Sequence, residues 1–113
     1  MTASCLFCRI ARGEVPSRKA YEDDEVIAFH DINPAAPVHL LLVPKMHVDS
    51  LITTGPEHEA LLGKLTALAP RLAKEQGCDN GFRVVINNGP DGGQEVYHLH
   101  IHILGGPRPW KRL

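Results

Sequence analysis

The sequence has no surplus of positive charge: 12 Lys and Arg stand against 13 Asp and Glu, and the one basic cluster is Arg108, Lys111 and Arg112. A nucleic-acid polymer calls for a basic stripe to neutralise its phosphates, so that class of partner is argued against. No apolar run approaches the ~20 residues of a membrane span, and the stretch from Met1 to Cys5 has neither the basic residues nor the apolar segment of a secretory leader. The expectation is a cytoplasmic protein that does not engage a membrane. Three cysteines, Cys5, Cys8 and Cys78, are too few and too unevenly spaced for a disulfide framework, and read as reduced thiols or metal ligands. Repeats and low-complexity tracts are absent as well. What remains is 113 residues of ordinary globular composition and a net charge of −1, one domain over 1–113 with room for a modest core. Such a balance suits a small phosphorylated ligand.

Taken in order, the apolar residues Leu6, Phe7, Ile10 and Ala11 recur at helical spacing, with Ser4 as N-cap and Gly13 as the stop. Lys19 to Glu22 and Glu25 to His30 read as a hairpin about Asp23-Asp24. Two prolines and an Asn make residues 31–37 a loop, and His39 to Val43 is apolar enough for a central strand covered on both sides. Thr54-Gly55-Pro56-Glu57 has capping-box spacing, opening a helix that runs to Gln76 on a stripe of Leu61, Leu62, Leu65, Leu68, Ala69, Leu72 and Ala73, bent at Pro70. Phe82 to Asn87 is a further strand with Val84 and Ile86 on one face. The order predicts an α+β domain: an antiparallel sheet with helices packed on one face.

The last strand is the unusual one. In His98-Leu99-His100-Ile101-His102-Ile103-Leu104, imidazole and aliphatic side chains alternate, and an extended chain turns alternate side chains to opposite faces. The histidines then share one side at about 6.6 Å spacing, close enough for two of them to touch one phosphate-sized group. A strand face that merely meets solvent usually carries Thr, Lys or Glu. Two other readings stand beside a phosphate site: a half-buried strand whose polar side is histidine, and a zinc-binding strand, since imidazoles two apart can chelate.

His98 to Leu104 resembles the signature of the histidine triad family, in which three histidines alternate with apolar residues. Asp31-Ile32, His39, Pro44-Lys45, Asn87 and Gly93-Gln94 resemble positions of its Hint branch of purine-nucleoside phosphoramidases, so the likeness spans nearly the whole chain. It implies a five-stranded antiparallel sheet with a short N-terminal helix and one long helix. His100 is then the nucleophile that attacks the α-phosphate and becomes a transient nucleotidyl-imidazole, a role neutral imidazole fits near neutral pH. His102 is the phosphate contact and proton donor to the leaving group, His98 supports from behind, and His39 completes and orients the group. Asn87, Gly93 and Gln94, with the backbone of Glu95 and Val96, contact phosphate. The Glu95 carboxylate departs from the small hydroxyl residue of eukaryotic members. Asp31 and Ile32 meet the ribose, although an Asp before Ile-Asn-Pro is also a plain turn former; Phe7, Ile10, Val15 and Phe29 form an apolar slot for the base.

The same resemblance, to bacterial members, implies a structural zinc on Cys5, Cys8, His47 and His98, a closed set with no open position. Cys78 reads as core or surface, and His30 and His58 as ordinary polar positions. The activity implied is hydrolysis of nucleoside 5′-phosphoramidates or related nucleotidyl conjugates of adenosine or guanosine, releasing AMP or GMP with no catalytic cofactor. Members pair as homodimers through the long helix and the strand from Phe82, with Trp110 a contact across the interface. Two alternatives stand: a zinc hydrolase with the triad as ligands, against which the phosphate-type residues His39 and Gly93-Gln94 speak, and a nucleotide-binding regulatory or scaffold protein whose turnover is incidental.

Overall fold

The structure, a computed structural model, describes residues 5–110. The expected Ser4 cap lies outside them. Helix α1 spans Leu6–Ala11, and the Cys5 thiol takes the capping place, accepting from the Cys8 N–H at 3.4 Å. Strands β1 (Lys19–Glu22) and β2 (Val26–His30) form the hairpin, closed where the Asp23 carboxylate accepts from the N–H groups of Glu25 and Val26. Strand β3 is Val38–Pro44, helix α2 Glu59–Glu75, strand β4 Phe82–Val85 and strand β5 Ile101–Gly105. All pairs are antiparallel in the order β1-β2-β3-β5-β4, so β3 is central and buried, as its apolar run predicts.

Strand alternation sorts the core into two layers. Val26 and Ala28 of β2, Leu40 and Leu42 of β3, and Ile101 and Ile103 of β5 face Leu65, Leu68, Ala69, Leu72 and Ala73 of α2. Ile27, Phe29, Leu41 and Val43 point the other way and meet Phe7 and Ile10 of α1. The expected single helical face is therefore corrected: α2 covers one side of the sheet and α1 the other. Among the described residues no helix is long and apolar enough to cross a membrane.

Three local expectations also change. The capping box at 54–57 does not form, because a 3-10 turn over Leu51–Thr53 draws the Thr54 hydroxyl to the Leu51 carbonyl at 2.7 Å. A second turn, Pro56–His58, precedes α2, and His58, read as an ordinary polar position, accepts the Gly55 N–H at 3.0 Å. Strand β4 ends at Val85 rather than Asn87; Val84 and Ile86 still share the α2-side face, Val84 exposed and Ile86, past the strand's end, packed on the core. Finally, β5 begins only at Ile101, so His98 lies at the end of a bend and His100 in the short stretch leading into the strand, where Leu99 N–H reaches the Val48 carbonyl at 2.7 Å. The alternation survives there nonetheless: Leu99 is in the α2-side core and the histidines face α1.

Candidate active site

His39 from β3 and His100 and His102 from the lead-in and β5 converge on the α1 side of the sheet, with the His100 and His102 rings 5.0 Å apart. Backbone groups assign their hydrogens. A carbonyl only accepts, so the His100 Nδ1 that lies 2.7 Å from the His98 carbonyl carries the proton, and Nε2 is left with its lone pair. An amide N–H only donates, so His39 Nδ1, which receives the Ala35 N–H at 3.0 Å, is bare and its Nε2 carries the hydrogen. That Nε2 lies 2.9 Å from His102 Nδ1 and 3.5 Å from an Asp31 oxygen. His102 Nδ1 therefore accepts, and its Nε2–H is the one it presents. A lone pair on one ring thus stands beside an N–H on the next.

Burial keeps these rings neutral. It lowers the pKa of His39 and of His100, and together with the repulsion that protonating neighbouring imidazoles brings it holds His102 down to about 4. Phe7 from α1 meets His100 edge-on at 5.1 Å and excludes water from its inner side.

Beside this group lies a second one. The Cys5 and Cys8 sulfurs are 3.2 and 3.5 Å from His98 Nδ1, Cys8 is also 3.3 Å from His47 Nδ1, and all four donor atoms lie within 4.8 Å of one another. The far nitrogen of each ring is braced, His98 Nε2–H on the Pro44 carbonyl at 2.7 Å and His47 Nε2–H on Asp49 at 2.8 Å. Both bare nitrogens therefore face the thiols, and two sulfurs with two imidazoles so oriented fit a tetrahedral cation of the zinc class. Asp31, His39 and His102 are as tightly grouped. A cation on His39 Nε2, however, would require a proton on Nδ1, where the Ala35 N–H already points. The acceptors behind the Cys/His group suit a metal; the donor behind His39 suits a proton.

The other expected residues divide. Asp31 accepts the Asn33 N–H at 2.8 Å, as a turn former would, yet keeps its second oxygen near His39. Ile32 is 91% exposed beside it. Gly93 takes a left-handed conformation, φ +75°, that favours glycine, at the end of a turn over Pro90–Gly92. The half-buried Asn87 amide makes no hydrogen bond among the described residues. Glu95 is exposed and Val96 half-buried. Gln94 is a correction. Its amide hydrogens go to the Asp49 and Val96 carbonyls at 2.7 and 2.9 Å and its oxygen accepts the Gly89 N–H, so no donor is left for a phosphate and the side chain braces the loop. Phe7, Ile10 and Phe29 are buried against one another, with Val15 packed on them, so the expected base slot is a filled cluster. Asp49 and the backbone groups of Ala35 and Pro44 were not in the expected set; no side-chain pattern announces a backbone donor.

Comparison with known proteins follows the same lines. The HIT domain family matches residues 12–108. Protein HitA of Neisseria gonorrhoeae is 56% identical over 104 residues, 92% of this chain and 97% of that protein. A 14 kDa zinc-binding protein of Brassica juncea is 48% identical over 103 residues, 89% and 91% of the two. Among solved structures, a HIT family hydrolase from Legionella pneumophila has a TM-score of 0.90 at 43% identity, covering 93% of this chain and 95% of that one. A Zn-bound histidine triad family protein from Mycobacterium smegmatis has a TM-score of 0.79 at 34% identity, covering 93% and 76%.

Proposed function

The chain belongs to the HIT domain family, and from that premise we propose that it is a nucleotide hydrolase of the Hint-like branch, acting on adenosine or guanosine 5′-phosphoramidates and related nucleotidyl conjugates. The observation that carries the reading is the pairing of a bare His100 Nε2 with the His102 Nε2–H. His100 Nε2 attacks the α-phosphorus and forms a P–N bond to the ring, the bond to the leaving amine breaks, and His102 gives its Nε2 proton to that amine. Water then attacks phosphorus, His102 Nε2 takes its proton, and the P–N bond to His100 breaks to free AMP or GMP. His39 keeps the His102 ring in the tautomer this requires. Asp31 and Ile32 meet the ribose. Asn87, the Gly93 turn and the backbone at Glu95 and Val96 meet the phosphate. His100→Ala is expected to abolish amine release from adenosine 5′-phosphoramidate while AMP still binds, and wild-type turnover in that variant would refute the assignment.

Cys5, Cys8, His47 and His98 hold a zinc ion in this reading, supported by their donor geometry and by the zinc-binding relatives. A bound ion there supplies a crosslink between α1 and the sheet, which a small core benefits from. The chain works as a homodimer joined through α2 and β4.

A further inference from the structure

Resting on that reading, we infer that Cys5, Cys8 and His47 are positioning residues for His100, acting through His98. The two groups of side chains share one residue. The His98 ring belongs to the Cys/His group, while its carbonyl is the acceptor that fixes the His100 proton on Nδ1. In most of the sheet such a carbonyl would be held by ladder hydrogen bonds, but β5 starts only at Ile101 and the 98–99 peptide unit lies outside the ladder.

What holds that unit is the Cys/His group together with the carbonyls of Pro44 and Val48. The His98 ring is fully buried and pinned at each nitrogen, by Pro44 on one side and the two thiols on the other. The N–H of the same peptide unit, that of Leu99, reaches the carbonyl of Val48, the residue next to His47. His47 in turn is tied to Cys8 and to Asp49. If the group is loosened, only the Leu99–Val48 and His98–Pro44 bonds still place the His98 carbonyl, and the one contact that keeps His100 Nε2 bare is less tightly set. Phe7, carried on α1 between Cys5 and Cys8, packs against both His98 and His100 and would shift with them.

The test compares zinc-loaded protein with protein stripped by a chelator, and with Cys5→Ser, each checked for a folded amide spectrum. Long-range 1H–15N spectra read the His100 tautomer, and turnover of adenosine 5′-phosphoramidate gives kcat and KM separately. The expected result is a mixture of His100 tautomers in the stripped protein, with kcat lower by about tenfold or more and little change in KM. A single Nδ1–H tautomer retained with kcat within twofold would overturn the inference. Where stripping unfolds the chain, cadmium-loaded protein replaces it: its longer bonds to sulfur are expected to move the His100 ring shifts and kcat, and coincidence with the zinc form would overturn the inference equally. If zinc-loaded protein turns over no phosphoramidate, the proposed activity fails, while the His100 shifts still decide the positioning role.

Discussion

At His102 the two ring nitrogens have separate tasks, and only Nε2 has a proton to give, because Nδ1 accepts from His39. His102→Ala is therefore expected to slow amine release by roughly 10²–10⁴-fold, but to slow release of a p-nitrophenol leaving group far less, since that group departs without a proton. Equal losses on both substrates would make His102 a binding residue. The same ring sets an acid limit. Its folded pKa, about 4 through burial and the neighbouring imidazoles, lies below the ~6.5 of an unfolded histidine. Between those values the unfolded chain takes up a proton that the folded one refuses, so this contribution is complete above pH 6.5 and is lost as pH falls toward 4. It amounts to something on the order of 3 kcal/mol. Urea unfolding at neutral and acid pH checks this: His102→Gln should flatten the acid slope, and parallel losses in variant and wild type would refute the attribution.

Among the elements, α1 and β5 owe their places to contacts that leave little trace in composition. A six-residue helix is well below the ~12–15 residues that hold in isolation, so α1 exists by burying Phe7 and Ile10 and by its thiols. On β5, Gly105 passes directly under Cys78: a β-carbon there would collide with the Cys78 sulfur. Gly105→Ala is expected to cost about 1–3 kcal/mol, and Cys78→Ala in the same chain to recover part of it; a neutral Gly105→Ala would show that the packing relaxes freely. The long α2 stripe, the β1–β2 hairpin and the apolar β3 run were legible in the sequence because each has a period or turn of its own. The side of the sheet taken by α1 was not, since so short a helix buries two or three side chains wherever it lands. Nor was the Gln94 brace, because an amide that cradles a phosphate and one that cradles its own loop are the same letter. The Cys/His group and the triad were named by spacing and resemblance; the tautomers that distinguish them come from Ala35, Pro44 and His98 backbone atoms, which no sequence pattern displays.

Across the whole molecule, the described residues have a radius of gyration of 13.5 Å, close to the ~13 Å of a compact domain of this length, yet one border of the sheet is unfinished. Edge strand β4 leaves Phe82 and Val84 at 39% and 41% exposure. Val84 pairs with Ile103, whose side chain faces α2, so both exposed residues project on the side that α2 covers elsewhere. Edge, apolar pair and helix flank together form a surface that a second copy would cover in a two-fold arrangement, the edge being a liability if left open. Sedimentation equilibrium is expected to give twice the 12.4 kDa chain mass at micromolar concentration. Val84→Lys should shift the equilibrium toward monomer without unfolding the chain, since Val84 lies outside the buried core. Wild-type protein sedimenting as a monomer would rule the dimer out. Wild type and Val84→Lys both sedimenting as dimers would move the interface away from β4, leaving the solvent-facing side of α2 to carry it alone.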